Sequence, residues 1–301
     1  MNFLALLLGL GVERLLTHFF HLREFRWLDP LFDRGFAKIA TAKRSRAITG
    51  AAVLAIAIVL PVAVISILLQ ERYLQIPYFF FAVLVLLLSL GPRDLAKEAN
   101  DYCAAVENDK IAQAERTGKE LLERELPIEE PDRSDSVERA IYIQANNRIF
   151  GVVLWFVLLG PTGAWLFRVL DLMRRRAAYQ TLRVREPGTE PKTVTAFETL
   201  HGVFAWLPSR LLMIGYALAG SFEGATRAWR NFYAHRAEKF FDLSSHLLGS
   251  VGHGALGDTG SIDVDKGTAE GARAAMDLVW RTLWLIWCPI LALLTLYDWL
   301  R

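Results

Sequence analysis

The sequence predicts an all-α fold: a polytopic helical membrane protein whose spans are joined by amphipathic cytoplasmic helices. Three observations predict it. Residues 47–69 (AITGAAVLAIAIVLPVAVISILL) contain no ionisable side chain. Further apolar runs recur at 2–21, 76–91, 149–170, 203–221 and 277–299, with most of the charge gathered between them. Lys and Arg flank these runs unevenly, as the positive-inside bias of membrane proteins requires. A hydrocarbon core about 30 Å thick needs roughly 20 apolar helical residues to cross it. Backbone polar groups cannot face lipid unpaired, so runs of this kind are helices.

Residues 2–21 lack a basic leading region and a small-residue cleavage site, and their apolar character continues past Gly9 and Gly11 into VERLLTHFF. They are expected to be a retained first span rather than a removed signal. The second span is 47–69, with Pro61 as a kink. The third, Ile76 to Gly91, is short and ends at Gly91-Pro92, with Tyr73 and Tyr78 as interface anchors. The charged stretch 92–147 has a helical pattern, with Leu95, Ala99, Tyr102, Val106 and Ile111 on one face and a loop at Pro127 and Pro131. Residues 149–170 are apolar but interrupted by Gly160-Pro161-Thr162-Gly163. Residues 203–221 are apolar but carry Pro208 and Arg210. A charged amphipathic region, 222–247, leads to a Gly-rich loop, 249–271, and the Trp-rich last span is about 277–299. The expected organisation is 1–91, three spans with a basic cytoplasmic loop; 92–147, a cytoplasmic helical segment; 148–221, broken or re-entrant membrane helices; 222–276, a cytoplasmic helix and Gly-rich loop; and 277–301, the last span. No internal repeat of 20–50 residues is visible.

Loop 22–46 carries Arg23, Arg26, Arg34, Lys38, Lys43, Arg44 and Arg46, so it faces inward, the N-terminus outward and 92–147 inward. A full crossing by 149–170 would then place Arg174, Arg175, Arg176, Arg183, Arg185 and Lys192 outside. Either 149–170 is a re-entrant hairpin turned at its Gly-Pro-Thr-Gly break, or both 149–170 and 203–221 cross. The first is favoured, giving four full spans: the first, second, third and last.

The net charge of +2 is uninformative alone, because the basic residues flank apolar runs. Membrane orientation accounts for them, so nucleic acid is not an expected partner. Cys103 and Cys288 give neither a disulfide framework nor metal spacing; Cys288 reads as packing. Gly252-His253-Gly254-Ala255-Leu256-Gly257 matches G-x-G-x-x-G, but a dinucleotide site needs a preceding strand in a βαβ unit. Asp258, Asp263, Asp265 and Glu270 read as a solvated loop. No cofactor and no metal are expected.

Several charged or polar residues sit where lipid makes them costly. Glu13 and Arg14 end the first span, and His18 shares the face of Arg14; they form a polar pocket or snorkel at the boundary. Arg210 follows Pro208 within WLPSRLLMIGYALAG. It either meets a buried carboxylate such as Glu13, Asp171 or Glu198, or lies on the wet face of an interfacial helix. Asn146, Asn147 and Arg148 precede an apolar helix, so they cap it and anchor it, or they bind an anion at its N-terminus. Arg168 and Asp171 are spaced i,i+3 and can pair.

The order of several phrases resembles one known family. Val12-Glu13-Arg14-Leu15 ends the first helix. Asn147-Arg148 leads through Phe150 to Leu154-Trp155-Phe156, Gly160-Pro161 and Gly163-Ala164. Trp206-Leu207-Pro208-Ser209-Arg210-Leu211 then runs into Tyr216-Ala217-Leu218-Ala219-Gly220. Together they resemble the AmpE family over essentially the whole chain. That family falls in a superfamily with adenosylcobinamide-phosphate synthase, which joins an amine to a corrin carboxylate using ATP. The hallmark of those synthases is acidic, of the form ESxAENxxD. The corresponding stretch here, Ile141 to Arg148, lacks the acidic positions, and an arginine stands where an aspartate is expected.

The resemblance implies a multi-pass bacterial inner-membrane regulator or sensor tied to cell-wall recycling and β-lactamase induction, and the missing acidic positions lean away from catalysis without deciding it. The alternatives are an amide-forming enzyme of the synthase type and a carrier for a cell-wall fragment. The expected ligand-binding residues are Glu13, Arg14, His18, Asn147, Arg148, Arg168, Asp171, Trp206 and Arg210. The expected partners are the lipid bilayer, a muropeptide or nucleotide ligand, and a second copy of the chain.

Overall fold

A computed structural model describes residues 25, 28–40, 44–71, 75–90, 95–123, 126, 127, 129, 132–183, 192–235, 243–257 and 267–293. The described elements are helical throughout: α1 (Asp29–Ala40), α2 (Arg44–Glu71), α3 (Gln75–Ser89), α4 (Leu95–Glu107), α5 (Ile111–Leu122), α6 (Asp132–Ala145), α7 (Gly151–Arg183), α8 (Lys192–Ala219), α9 (Phe222–His235), α10 (Leu243–Ala255) and α11 (Gly267–Arg281). Residues Asn146–Phe150 and Thr282–Trp287 are π-helical turns. Among the described residues, four helices are long and apolar enough to cross a membrane: Arg46–Gln70, Asp132–Tyr179, Val194–Ala219 and Ala269–Leu293, with a shorter apolar helix at Ile76–Ser89. The chain is a multi-pass helical membrane protein. The first predicted span, 2–21, lies outside the described residues.

The chain forms two compact units, one of Met1–Pro92 with Arg148–Trp206, the other of Arg93–Asn147 with Leu207–Arg301. In the first unit α2 shows how a helix that is apolar on every side divides its surface. Ala47, Ala51, Ala55 and Val59 recur every four residues and are buried. Val53, Ile56, Leu60, Val64 and Ile67 are exposed. The small side chains let α2 approach its neighbours closely, as membrane helices do where apolar surface alone cannot drive association. The larger ones form a face fit for lipid. The core they pack into contains Phe32, Phe36, Trp165, Val169, Met173 and Phe197. The Phe36 and Phe197 rings lie 4.4 Å apart. The Trp165 indole donates to the Ile58 carbonyl at 3.4 Å.

The Gly-Pro-Thr-Gly break is present in α7. Gly160 has φ 67° and ψ −155°, a region open essentially only to glycine. Beyond it Gly163 sits so close to the Trp155 carbonyl oxygen that a Cβ could not fit there. Eight residues of unbroken helix would separate those positions by about 12 Å. The chain therefore turns sharply between 151–159 and 161–183. Residues 203–219, by contrast, belong to a longer helix starting at Lys192, with Pro208 inside it and no break assigned.

In the second unit α4 packs on α5 and α11, and α6 on α10 and α11. Leu95, Ala99 and Tyr102 are buried as their spacing predicts. Ile111 is not: α4 stops at Glu107, Asp109 turns the chain with φ 52°, and Ile111 opens α5 at 74% exposure. A helical period cannot carry through a left-handed residue. The buried Cys103 thiol donates to the Ala269 carbonyl at 3.4 Å.

The Gly-rich segment also departs from expectation. Gly252 and Gly254 are not in a loop but in α10. A Cβ on Gly252 would meet the Tyr142 ring at 2.5 Å, and one on Gly254 would meet the Gly224 carbonyl oxygen at 2.6 Å and Ala228 Cβ at 2.7 Å. These glycines let α10 sit directly on α6 and α9. Asp258, Asp263 and Asp265 lie outside the described residues.

Candidate functional site

In the first unit the site is built around Asp171 on α7. Its side chain is wholly buried, so its charge must be matched. Helical spacing supplies the match: residues three and four apart share a face. Arg168 Nη1 donates to Oδ2 at 2.9 Å and Arg174 Nη2 donates to Oδ1 at 2.9 Å. Arg175 Nε lies 2.9 Å from Oδ2. From α8, His201 Nε2 reaches within 3.9 Å of Oδ1, its ring packed 5.4 Å from that of Phe167. Arg168 is as buried as the carboxylate it holds.

The next residue faces another way. Arg176 donates through Nε to Asp33 Oδ1 at 3.0 Å and through Nη2 to Oδ2 at 2.8 Å, and its Nη1 is 3.1 Å from Asp29 Oδ2. Asp29 and Asp33 lie one turn apart on α1, so a single guanidinium clamps that face of α1 to α7. The run Arg174-Arg175-Arg176, read from the sequence as charges that set orientation, thus binds carboxylates of its own unit.

The Arg168–Asp171 pair expected from the sequence is present, and the structure adds Arg174, Arg175 and His201 to it. The sequence signal was available: R-x-x-D-x-x-R-R places three guanidinium groups on the two turns around one aspartate. His201 comes from a separate helix and had no such signal. Asn146, Asn147 and Arg148 are all buried, but they do not cap a helix: they form a π-helical turn, where Asn146 Nδ2 donates to Asn147 Oδ1 at 3.4 Å. Such turns are frequent at functional sites. Trp206 is half-buried on α8. Arg210, for which the sequence suggested a carboxylate, stands 5.3 Å from the Trp229 ring centroid on α9, a cation–π contact. Glu13, Arg14 and His18 lie outside the described residues.

The second unit holds a polar cluster the sequence reading missed. Glu138 on α6 is 5% exposed. His253 Nδ1 on α10 lies 3.0 Å from Glu138 Oε1, and the Tyr142 hydroxyl donates to the same oxygen at 3.4 Å. The hydrogen bond to Glu138 holds the His253 pKa above its ordinary value, against the opposing effect of partial burial. Asp135, one turn before Glu138, completes a set of three ligand-type atoms within 4.8 Å of one another. His253 is the central residue of the Gly-His-Gly triplet, whose flanking glycines set how closely α10 approaches.

Residues 1–300 match the family described as "Regulatory signalling modulator protein AmpE". The chain is also similar to two proteins named "Cobalamin biosynthesis protein CobD". The one from Stutzerimonas stutzeri is 24% identical over 218 residues, 68% of this chain and 70% of that protein. The one from Chromobacterium violaceum is 25% identical over 176 residues, 58% of this chain and 53% of that protein. No solved structure matches.

Proposed function

The chain belongs to the AmpE family of regulatory signalling modulators, and on that premise we propose that it acts as an inner-membrane sensor in cell-wall recycling and β-lactamase induction. The observation that carries the reading is the shared carboxylate of Asp171. Three guanidinium groups converge on one buried aspartate. A muropeptide carboxylate or another anionic group that draws one guanidinium away leaves Asp171 still held by the others. Partner exchange of this kind is proposed to offer the cluster a second arrangement, whose population a ligand that binds it preferentially would raise. Within the same unit, the buried Arg148 and the half-buried Trp206 are proposed to serve the same recognition.

The test is β-lactamase induction in the native bacterium. A clean deletion is expected to change the induction response to a β-lactam, and a plasmid copy of the full chain to restore it. An induction curve identical in deletion and parent strains would overturn the reading.

A second reading is a membrane enzyme forming an amide in the manner of cobinamide-phosphate synthases. The similarity to two proteins named for cobalamin biosynthesis favours it. The absence of the acidic positions between Ile141 and Arg148 weighs against it, since handling Mg-nucleotide and an activated carboxylate draws on carboxylate ligands. Restored cobalamin-dependent growth of a synthase-deficient strain carrying this chain would move it to the front.

A further inference from the structure

We propose that Asp135, Glu138 and His253 form a binding site for a divalent transition-metal cation of the Zn, Co or Mn class. The proposal does not depend on the sensor reading and concerns the second unit alone.

The donor set comes first. One imidazole nitrogen and two carboxylate oxygens lie within 4.8 Å of one another. Two carboxylates and a neutral imidazole carry a charge of −2, which a divalent cation cancels. The imidazole favours Zn and Co over Mg and Ca, which take oxygen ligands, and the two carboxylates also suit Mn. Metal–ligand bonds of about 2.0–2.2 Å in tetrahedral geometry put neighbouring ligand atoms roughly 3.3 Å apart. His253 Nδ1 and Glu138 Oε1, at 3.0 Å, are already near that separation. A cation there takes the place of the proton that Nδ1 and Oε1 share.

The fold supplies the second argument. Asp135 and Glu138 are three apart on α6 and share a face. His253 is brought to them by packing rather than by its own contacts: Gly252 lies against the Tyr142 ring at a distance no Cβ could tolerate, and Gly249 would place a Cβ 3.0 Å from Arg139 Cβ. The Tyr142 hydroxyl, 3.4 Å from Glu138 Oε1, orients the carboxylate from outside the ligand set. On the other side Gly271 of α11 leaves space beside Oε2. A Cβ there would stand 3.4 Å from Glu138 Oε2 and 3.7 Å from Ser134 Oγ. A competing cation is Arg139, 3.7 Å from Asp135, whose side chain is 44% exposed and can turn toward solvent. Three protein ligands leave at least one coordination position open, the arrangement of catalytic and exchangeable rather than closed structural sites.

The test is isothermal titration of chelator-treated, full-length protein in detergent with Zn2+ alone, and with Co2+ alone while following its visible absorption. The expected result is about one equivalent bound, with affinity falling at least tenfold in Asp135→Asn and in His253→Gln and unchanged in Glu115→Gln on exposed α5. Asp135 and His253 are partly exposed, so these variants are expected to fold, and circular dichroism checks that they do. If Glu138→Gln also folds, it is expected to lose binding altogether. No saturable binding by the parent chain overturns the proposal, as does stoichiometric binding that survives both substitutions.

Discussion

Arg168 Nη1 and Asp171 Oδ2 lie 2.9 Å apart, and neither side chain reaches solvent. A carboxylate so placed stabilises the fold only while its cations surround it. Removing one partner of a buried pair typically costs about 3–5 kcal/mol, because the other charge stays behind. Asp171→Asn is therefore expected to lower the thermal midpoint of the detergent-solubilised protein sharply, and Arg175→Lys, at the edge of the cluster, to lower it less. Equal midpoints for Asp171→Asn and the parent would mean that the guanidinium groups are compensated by something else.

Gly160 should tolerate no side chain. Its φ and ψ fall where any Cβ is strained, a cost of about 1–3 kcal/mol. Gly160→Ala is expected to lower the unfolding free energy by that order, seen as a lower denaturation midpoint. A variant as stable as the parent would show that the turn of α7 does not need the conformation seen here.

Gly252 makes a parallel case through packing. A methyl group at this position would stand 2.5 Å from the Tyr142 ring. Gly252→Val is expected to force α10 away from α6 at a cost of about 1–3 kcal/mol. It should also move His253 off Glu138, visible as a return of the His253 titration toward its ordinary value by NMR of selectively labelled protein. An unchanged titration would contradict the role given to the glycine.

The His253–Glu138 contact carries a pH dependence whose sign is fixed. Its pKa is raised in the folded protein, chiefly by the hydrogen bond to Glu138, with Asp135 adding to the rise and Arg139 opposing it. The stabilisation is thus fully present below the unfolded imidazole pKa, about 6.5, and is lost as pH climbs through the raised folded value. Parent and His253→Gln midpoints are expected to differ most in mildly acidic buffer and to converge on the alkaline side. Metal binding should run the other way and strengthen with pH, because a ligand nitrogen must be unprotonated. A difference that grows with pH in chelator-treated protein would contradict the assignment.

The helical membrane architecture was legible because lipid leaves an apolar run few choices, so α2 and α3 lie close to where composition places them. The break at Gly160 was legible for a related reason: Gly-Pro-Thr-Gly is chemistry that a helix interior avoids. Periodicity failed where the chain changed direction without an obvious breaker, as at Asp109, and Ile111 was consequently assigned to a face it does not share. The Arg168–Asp171 pair could be read from local spacing. His201 and the Glu138–His253 contact could not, because they join helices far apart in sequence, and no local period reports that distance. The Gly-His-Gly triplet was read as part of a loop, and its place in α10, where it allows the close approach of three helices, appears only once Tyr142 and Gly224 are seen against it.

The measurement that bears most directly on the account is β-lactamase induction in the deletion strain complemented with parent, Asp171→Asn and Arg175→Lys chains, with membrane abundance of each determined by immunoblot. At matched abundance both variants are expected to shift the induction curve away from the parent's and toward that of the deletion. If the deletion and both variants induce as the parent does, the Asp171 cluster is not a signalling element and the sensor reading fails.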